Sequence, residues 1–449
     1  MGTKTRNLGN SEGKDIQWQS PLNADGSTIF NLESGKGYFV NTTGGEVELK
    51  LPTGSIGDTI AIMDFAGTFN TNKITINLNG QKLNGSTNPS GLAGQENYVG
   101  IDTQNARLEL VFSDSDKGWV VFENEAKTSP TGAPFATFTE ATGGTVTTSG
   151  KFKIHTFTGD GNFVVSSVGN SGGSTDKVSY VIVAGGGGGG IGYNGGHCGG
   201  GGGAGGYREG KTSVDTFTAS PVVAPDGVTI SAGTMPVTVG GGGTGRTGCS
   251  GCNNGPGVKA GDNGSNSVFS TITSAGGGGG AGGDRSSASA AGDGGSGGGG
   301  GSDENYPGTP AGAAGSGNTP PVSPPQGNDG GNGPGQAENS GGGGGGATAA
   351  GQNRQPGPNG GTGGAGATSC ITGSPVARAG GGGGSGQNGT ISGGAGGGGT
   401  GGKGNPPSSN ATAGSANTGG GGGGGIKYSL ATAGNGGKGV VILRYKFEA

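Results

Sequence analysis

The sequence predicts an all-β chain with a polyglycine II-like helical bundle. It has an N-terminal β-sandwich or prism-like module, and a second β unit clamps the glycine-rich part. Three observations predict it. Glycine makes up 122 of 449 residues, while hydrophobic residues make up 27%, well below the roughly 45–50% of an ordinary globular domain. The glycines crowd into runs such as Gly185 to Gly190, Gly276 to Gly280, Gly341 to Gly346 and Gly419 to Gly425. The apolar residues crowd elsewhere, in the N-terminal part, in Val214 to Val239 and in the tail Val440 to Phe447.

Residues 1–16 read as a polar N-terminal arm with no apolar stretch of the kind a secretory leader carries. Residues 17–124 read as a β-rich module. Tyr38 to Asn41, Val47 to Leu51, Thr59 to Met63, Lys73 to Leu78, Arg107 to Phe112 and Gly118 to Phe122 are β-branched or aromatic, mostly alternating, and bounded by Gly, Asn, Asp and Pro turns. Residues 125–135, with Ser129-Pro130-Thr131-Gly132-Ala133-Pro134, form a linker.

Residues 136–183 form a β base. In it Lys151 to Phe157 meets Phe163 to Val165 across a turn-rich loop, and Val178 to Val183 runs straight into the first glycine run. Residues 184–438 are the glycine-rich region, with strand insertions near 214–239 and 267–273, and Ser213 to Thr218 reads as strand. Residues 439–449 close the chain with an apolar strand. An exposed edge of that composition would aggregate, so it is expected to pair with the 151–183 sheet.

Glycine is the costliest residue to order, and a glycine run offers no side chains for a core. A three-residue-per-turn extended helix satisfies no hydrogen bonds internally. Its N–H and C=O groups therefore need partners on neighbouring segments, and the absent Cβ lets backbones come close enough to supply them. The tract lacks a strict every-third glycine rhythm with abundant proline, which argues against a collagen triple helix.

Several residue series resemble known proteins. Gly37-Tyr38-Phe39-Val40-Asn41-Thr42-Thr43, Asp64-Phe65-Ala66-Gly67-Thr68-Phe69, Asn72-Lys73-Ile74-Thr75-Ile76 and Lys117-Gly118-Trp119 resemble a β module of phage tail-fibre and other virion appendage proteins, common in marine phages. Val178 to Ala184 before glycine, Ser267-Val268-Phe269 before Gly276, and Gly439 to Phe447 resemble the glycine-rich C-terminal domain of phage tail fibres, and the tip adhesins of T-even-like long tail fibres. The resemblance implies a virion appendage that leaves the cell by host lysis. It also implies a homotrimer assembled through the N-terminal module, which docks on other virion tail proteins, and a host surface receptor, glycan or outer-membrane protein, met by the loops between glycine rods. A purely structural fibre or decoration protein is the alternative. The irregular inserts argue against an ice-binding surface.

Under that reading, contacts come from the segments between rods, where side chains of any reach are found. Tyr306, Arg354 and Tyr428 are the leading receptor-contact candidates, joined by Asn305 and Asn405, because Tyr and Arg dominate recognition hot spots. The blander reading has them cover rod ends. The four cysteines, Cys198, Cys249, Cys252 and Cys370, all lie in the glycine tract. They are disulfide candidates for stapling rods that lack a core. A zinc site with His197 and free thiols stay open as alternatives.

Other classes find little footing. A net charge of −4 without a Lys/Arg cluster gives no nucleic-acid footprint, and no apolar run is long enough to insert in a membrane. Gly205-Gly206-Tyr207-Arg208-Glu209-Gly210-Lys211-Thr212 fits a phosphate-loop pattern, but a glycine run precedes it where a strand is required and no helix pattern follows. His155 and His197 have no carboxylate and nucleophile grouped nearby, and the acidic residues are scattered. The sequence therefore predicts no enzyme, no cofactor and no resident metal.

Overall fold

In the computed structural model, the described residues are 16–89, 97–124, 128–129, 138–169, 176–192, 197–247, 260–283, 289–302, 312–334, 339–405, 408–426 and 432–448. Among them the chain is all-β, with several sheets and no helix. It divides into two compact units, Met1–Thr137 with Gly169–Gly173, and Phe138–Val168 with Ser174–Ala449.

The first unit holds β1 (Gln17–Trp18), β2 (Leu22–Asn23), β3 (Ile29–Asn31), β4 (Lys36–Asn41), β5 (Val47–Lys50), β6 (Thr59–Asp64), β7 (Ile74–Asn77), β8 (Tyr98–Ile101), β9 (Arg107–Asp114), β10 (Gly118–Asn124) and β11 (Thr128–Ser129). One sheet is built from β1, β2, β4, β6, β9 and β10, the other from β3, β5, β7, β8 and β11. Consecutive strands from β3 to β7 alternate between the sheets, so that β3, β5 and β7 pair in parallel, as do β4 and β6. The alternating side chains then meet inside. Val40, Ile60, Leu110 and Trp119 from one sheet join Leu49 and Ile74 from the other in a single core. Asp64 fixes the turn after β6 by accepting from the amides of Gly67 and Thr68 at 2.9 and 3.1 Å, and from that of Asn105 at 2.9 Å.

The second unit begins with β12 (Glu140–Thr142), β13 (Thr145–Ser149), β14 (Phe152–Phe157), β15 (Gly161–Ser167) and β16 (Lys177–Val183). It continues through β17 (Tyr207–Gly210), β18 (Val223–Ala224), β19 (Val228–Thr229), β20 (Gly233–Thr238), β21 (Ser267–Phe269), β22 (Ile272–Ser274), β23 (Ala367–Ser369) and β24 (Val376–Arg378), and ends with β25 (Val440–Lys446). The closing strand β25 lies between β14 and β16, paired on both edges, with Val440 opposite Val183. That is the pairing its apolar composition calls for. Phe163, Tyr180, Val237, Phe269, Leu443 and Tyr445 pack together where its two larger sheets share a core.

Two sequence expectations are corrected here. Ser213 to Thr218 is a loop, not a strand. It carries Asp215 to the buried guanidinium of Arg444, with Nε to Oδ1 at 2.9 Å. The Arg444 guanidinium also lies 4.4 Å from the Phe152 ring centroid. Nor is the insertion near 267–273 one strand. β21 and β22 form a tight hairpin, turned at Ser270, whose φ is 51°. Nearby, the buried carboxylate of Glu209 on β17 accepts from Tyr207 Oη at 3.0 Å, the Ser220 amide at 3.0 Å and Ser369 Oγ at 2.6 Å. It ties β17, the following loop and the β23–β24 hairpin into the base.

Between these strands the glycine segments run back and forth from the base. The segment 185–190 shows how they are held. Its N–H groups fall into three rows, each taken by a different neighbour. Gly185 and Gly188 donate to Ser265 and Asp262, Gly186 and Gly189 to Gly437 and Gly434, and Gly187 and Gly190 to Gly203 and Gly200. Its carbonyls accept from three more segments, through Gly243 and Arg246, Gly277 and Gly280, and Gly422 and Gly425. The donor partners count down by three and the acceptor partners count up by three, so the segment has three antiparallel and three parallel neighbours. A Cβ on Gly187 would collide with the carbonyl of Gly278, and one on Gly188 with that of Thr244. Both obstacles are backbone, hydrogen-bonded in place, so only glycine fits at this approach.

Candidate functional site

Glycine segments such as 185–190 and 199–206 start or end at base strands, here β16 and β17, and at the opposite end of the array the described residues include turns. A buried layer floors these turns. Ser385 Oγ donates to the carbonyls of Gly199 and Gly425, at 3.0 and 3.1 Å. Ser302 Oγ accepts the Cys198 amide at 2.7 Å, and the Cys198 thiol contacts the Asn339 carbonyl at 3.1 Å. Burial pushes that thiol up to about 12, against a hydrogen bond from Ser385 that favours the thiolate. Cys198 is thus held as a thiol in the floor and is no nucleophile at neutral pH.

Above the floor, three turns are laced side by side. Residues 355–359 close on themselves through the Gln355 amide to the Asn359 carbonyl at 3.0 Å. The Pro358 carbonyl then accepts the amides of Gln387 and Asn388, at 2.9 and 3.3 Å. Asn405 donates its amide to the Gln387 carbonyl at 2.9 Å, and its Nδ2 to Asn388 Oδ1 at 2.7 Å. Arg354 leads into the first turn, with its backbone amide fixed on the Asn332 carbonyl at 3.0 Å. The result is one surface rich in side-chain amides, with Gln352, Asn353, Gln355, Asn388 and Asn405 exposed. Such groups both donate and accept without charge, which suits hydroxyls and backbone polar groups of a partner.

Of the residues singled out from sequence, Arg354 and Asn405 therefore lie in this one surface. Asn305, Tyr306 and Tyr428 lie outside the described residues. Ser302 and Ile426, which precede the stretches containing them, are both bonded to Cys198 in the floor. The sequence reading missed Gln387 and Asn388, which join the other two turns. The signal was present as an amide pair following the run Gly380 to Gly384 after two intervening residues.

The cysteines divide. Cys370 follows β23 at the base, where its amide donates to the Thr218 carbonyl at 2.9 Å, while Cys198 lies at the other end of the array. These two are not joined to each other, and one metal site does not reach both. Cys249 and Cys252 lie outside the described residues. Among the described residues no group of His, Cys, Asp and Glu side chains has metal-site geometry. The phosphate-loop-like stretch is partly strand, since Tyr207–Gly210 is β17.

Residues 165–446, more than half of the chain, match the family model described as a glycine-rich domain. The chain belongs to that glycine-rich domain family. The match begins within β15 and ends with β25, so the glycine-rich domain includes the strands on which the excursion opens and closes. A search of curated proteins returns no match.

Proposed function

We propose that the glycine segments are polyglycine II-like helices forming a rigid bundle, and that the chain is a phage tail-fibre or virion appendage protein. Its bundle presents the far-end turns to a receptor on the host bacterial surface. The three-residue period of the lateral hydrogen bonds supports the first part, because a three-residue turn sends successive N–H groups to three different neighbours. The single observation that carries the second is the linkage of the 355–359 turn, residues 387–389 and Asn405 into one exposed amide surface on a buried floor. A surface held by backbone bonds to the array loses little entropy when a partner docks. In this reading the protein is non-catalytic, trimeric through its N-terminal unit, attached to other tail proteins, and exposed after lysis. The receptor is a glycan or an outer-membrane protein.

The test is adsorption of purified full-length protein to candidate host cells. Arg354→Ala combined with Asn388→Ala and Asn405→Ala should leave the far-ultraviolet circular dichroism unchanged and lower cell binding at least tenfold. Undiminished binding by the folded variant would overturn the adhesin reading and leave the structural-fibre alternative.

A further inference from the structure

The outer segments of the array solve a problem that its interior does not have. In the segment 275–283, one row of N–H groups, Gly277 and Gly280, donates to Gly185 and Gly188. A second row, Gly278 and Ala281, donates to Ser296 and Gly299. The third row, Gly276 and Gly279, donates to no backbone carbonyl among the described residues. There the acceptors are side chains. Asn266 Oδ1 takes the Gly276 amide at 2.9 Å and Asn263 Oδ1 takes the Gly279 amide at 2.8 Å.

The same device recurs elsewhere on the perimeter. Ala314 donates to Asn332 Oδ1 at 3.0 Å and Gly317 to Asp329 Oδ1 at 2.7 Å. Gly245 donates to Asn435 Oδ1 at 2.8 Å. All five acceptor residues are exposed. In both pairs the donors and the acceptors are each three residues apart and run in opposite directions, which is the register of two antiparallel glycine segments. Each side-chain oxygen takes the place that the carbonyl of one more segment would occupy.

We propose that Asn263, Asn266, Asp329, Asn332 and Asn435 terminate the array laterally, and that without them a glycine segment from a second copy of this chain would add to its side. A stripped row offers amide donors at three-residue spacing, and at Gly276 and Gly279 there is no Cβ to keep another backbone away. This matches the carbonyl row of any outer segment of the same chain. It is the counterpart, in a glycine array, of the guarded edge of a β-sheet.

The experiment compares full-length wild type, Asn263→Ala with Asn266→Ala, and Asn263→Asp with Asn266→Asp. The alanine pair should speed amide exchange at Gly276 and Gly279 at least tenfold. It should also give a concentration-dependent species, in sedimentation velocity, larger than wild type at the same concentration. The aspartate pair keeps an acceptor oxygen at each position and should do neither. A folded alanine variant that sediments as wild type does at every concentration would overturn the proposal, whether or not its exchange had changed. Asn435→Ala removes a single acceptor and is read in the same way at Gly245, so the test survives if the double variant does not fold.

Discussion

The two units are both all-β at their sheets, yet they reach order by opposite routes. The first unit buries Trp119 against Phe112 and closes two sheets on one apolar core. In the glycine array, the interior of the segment 185–190 is backbone touching backbone, and its amides are shared in three rows among three neighbouring segments. The first unit fills its interior with side chains, whereas at Gly187 and Gly188 the array has no room even for a Cβ. What stabilises a core, side-chain volume, is what the segment 185–190 excludes.

The largest break in that comparison should come from Trp119→Ala. Deleting a fully buried indole costs about 3–5 kcal/mol and should lower the denaturation midpoint of the first unit while amide exchange at Gly187 and Gly188 stays as it was. Gly188→Ala should do the reverse. Its Cβ meets the Thr244 carbonyl, and overpacking of this kind costs about 1–3 kcal/mol. Exchange should speed across 185–190 while the fluorescence transition of Trp119 is unmoved. Calorimetry sharpens the contrast further, because heat capacity follows apolar exposure. The first unit should unfold with about 12–15 cal/mol/K per residue and the glycine array with clearly less.

The smallest effect is a pH dependence of the base. His155 is buried, with Nδ1 2.7 Å from the Gly143 carbonyl and Nε2 3.2 Å from Tyr445 Oη, and burial holds its pKa below the ordinary 6.5. The unfolded chain therefore takes up a proton first as pH falls. The second unit should keep its full stability above about pH 6.5 and lose some of it as pH drops toward the depressed value. His155→Gln should flatten that slope in denaturant titrations from pH 7.5 to 5, and an unchanged slope would assign the loss to other groups.

Much of this was legible in the sequence, for reasons that can be named. Alternation located the first unit's longer strands, and the apolar tail Val440 to Lys446 declared its need to pair with the 151–183 sheet, though not that it would be paired on both edges. The winding of β3 to β7 between two sheets was not legible, because parallel pairing is set by contacts between distant residues and leaves no local pattern. Ser213 to Thr218 read as strand because its composition fits one. It is a loop because Asp215 must reach Arg444, and that partner lies at the far end of the chain. At the candidate site, the glycine runs pointed to the connecting segments. Their lateral order, which sets Asn388 beside Asn405, depends on which segment neighbours which. The spacing of three in Asn263 and Asn266, and in Asp329 and Asn332, was visible all along. It acquires meaning only once the donors opposite are known.

Val183 and Val440 are register partners on adjacent strands, so the chain departs from and returns to nearly the same spot. The glycine segments between them form a cassette hung on the strands β17 to β22, which belong to the base sheets. Lengthening or shortening it preserves the sheet only when excursions are gained or lost as out-and-back pairs, and each limb keeps its phase only when it changes by multiples of three residues. A lineage varying this protein would therefore edit it in quantised steps, with substitutions free at the tips and insertions counted in triplets along the shafts.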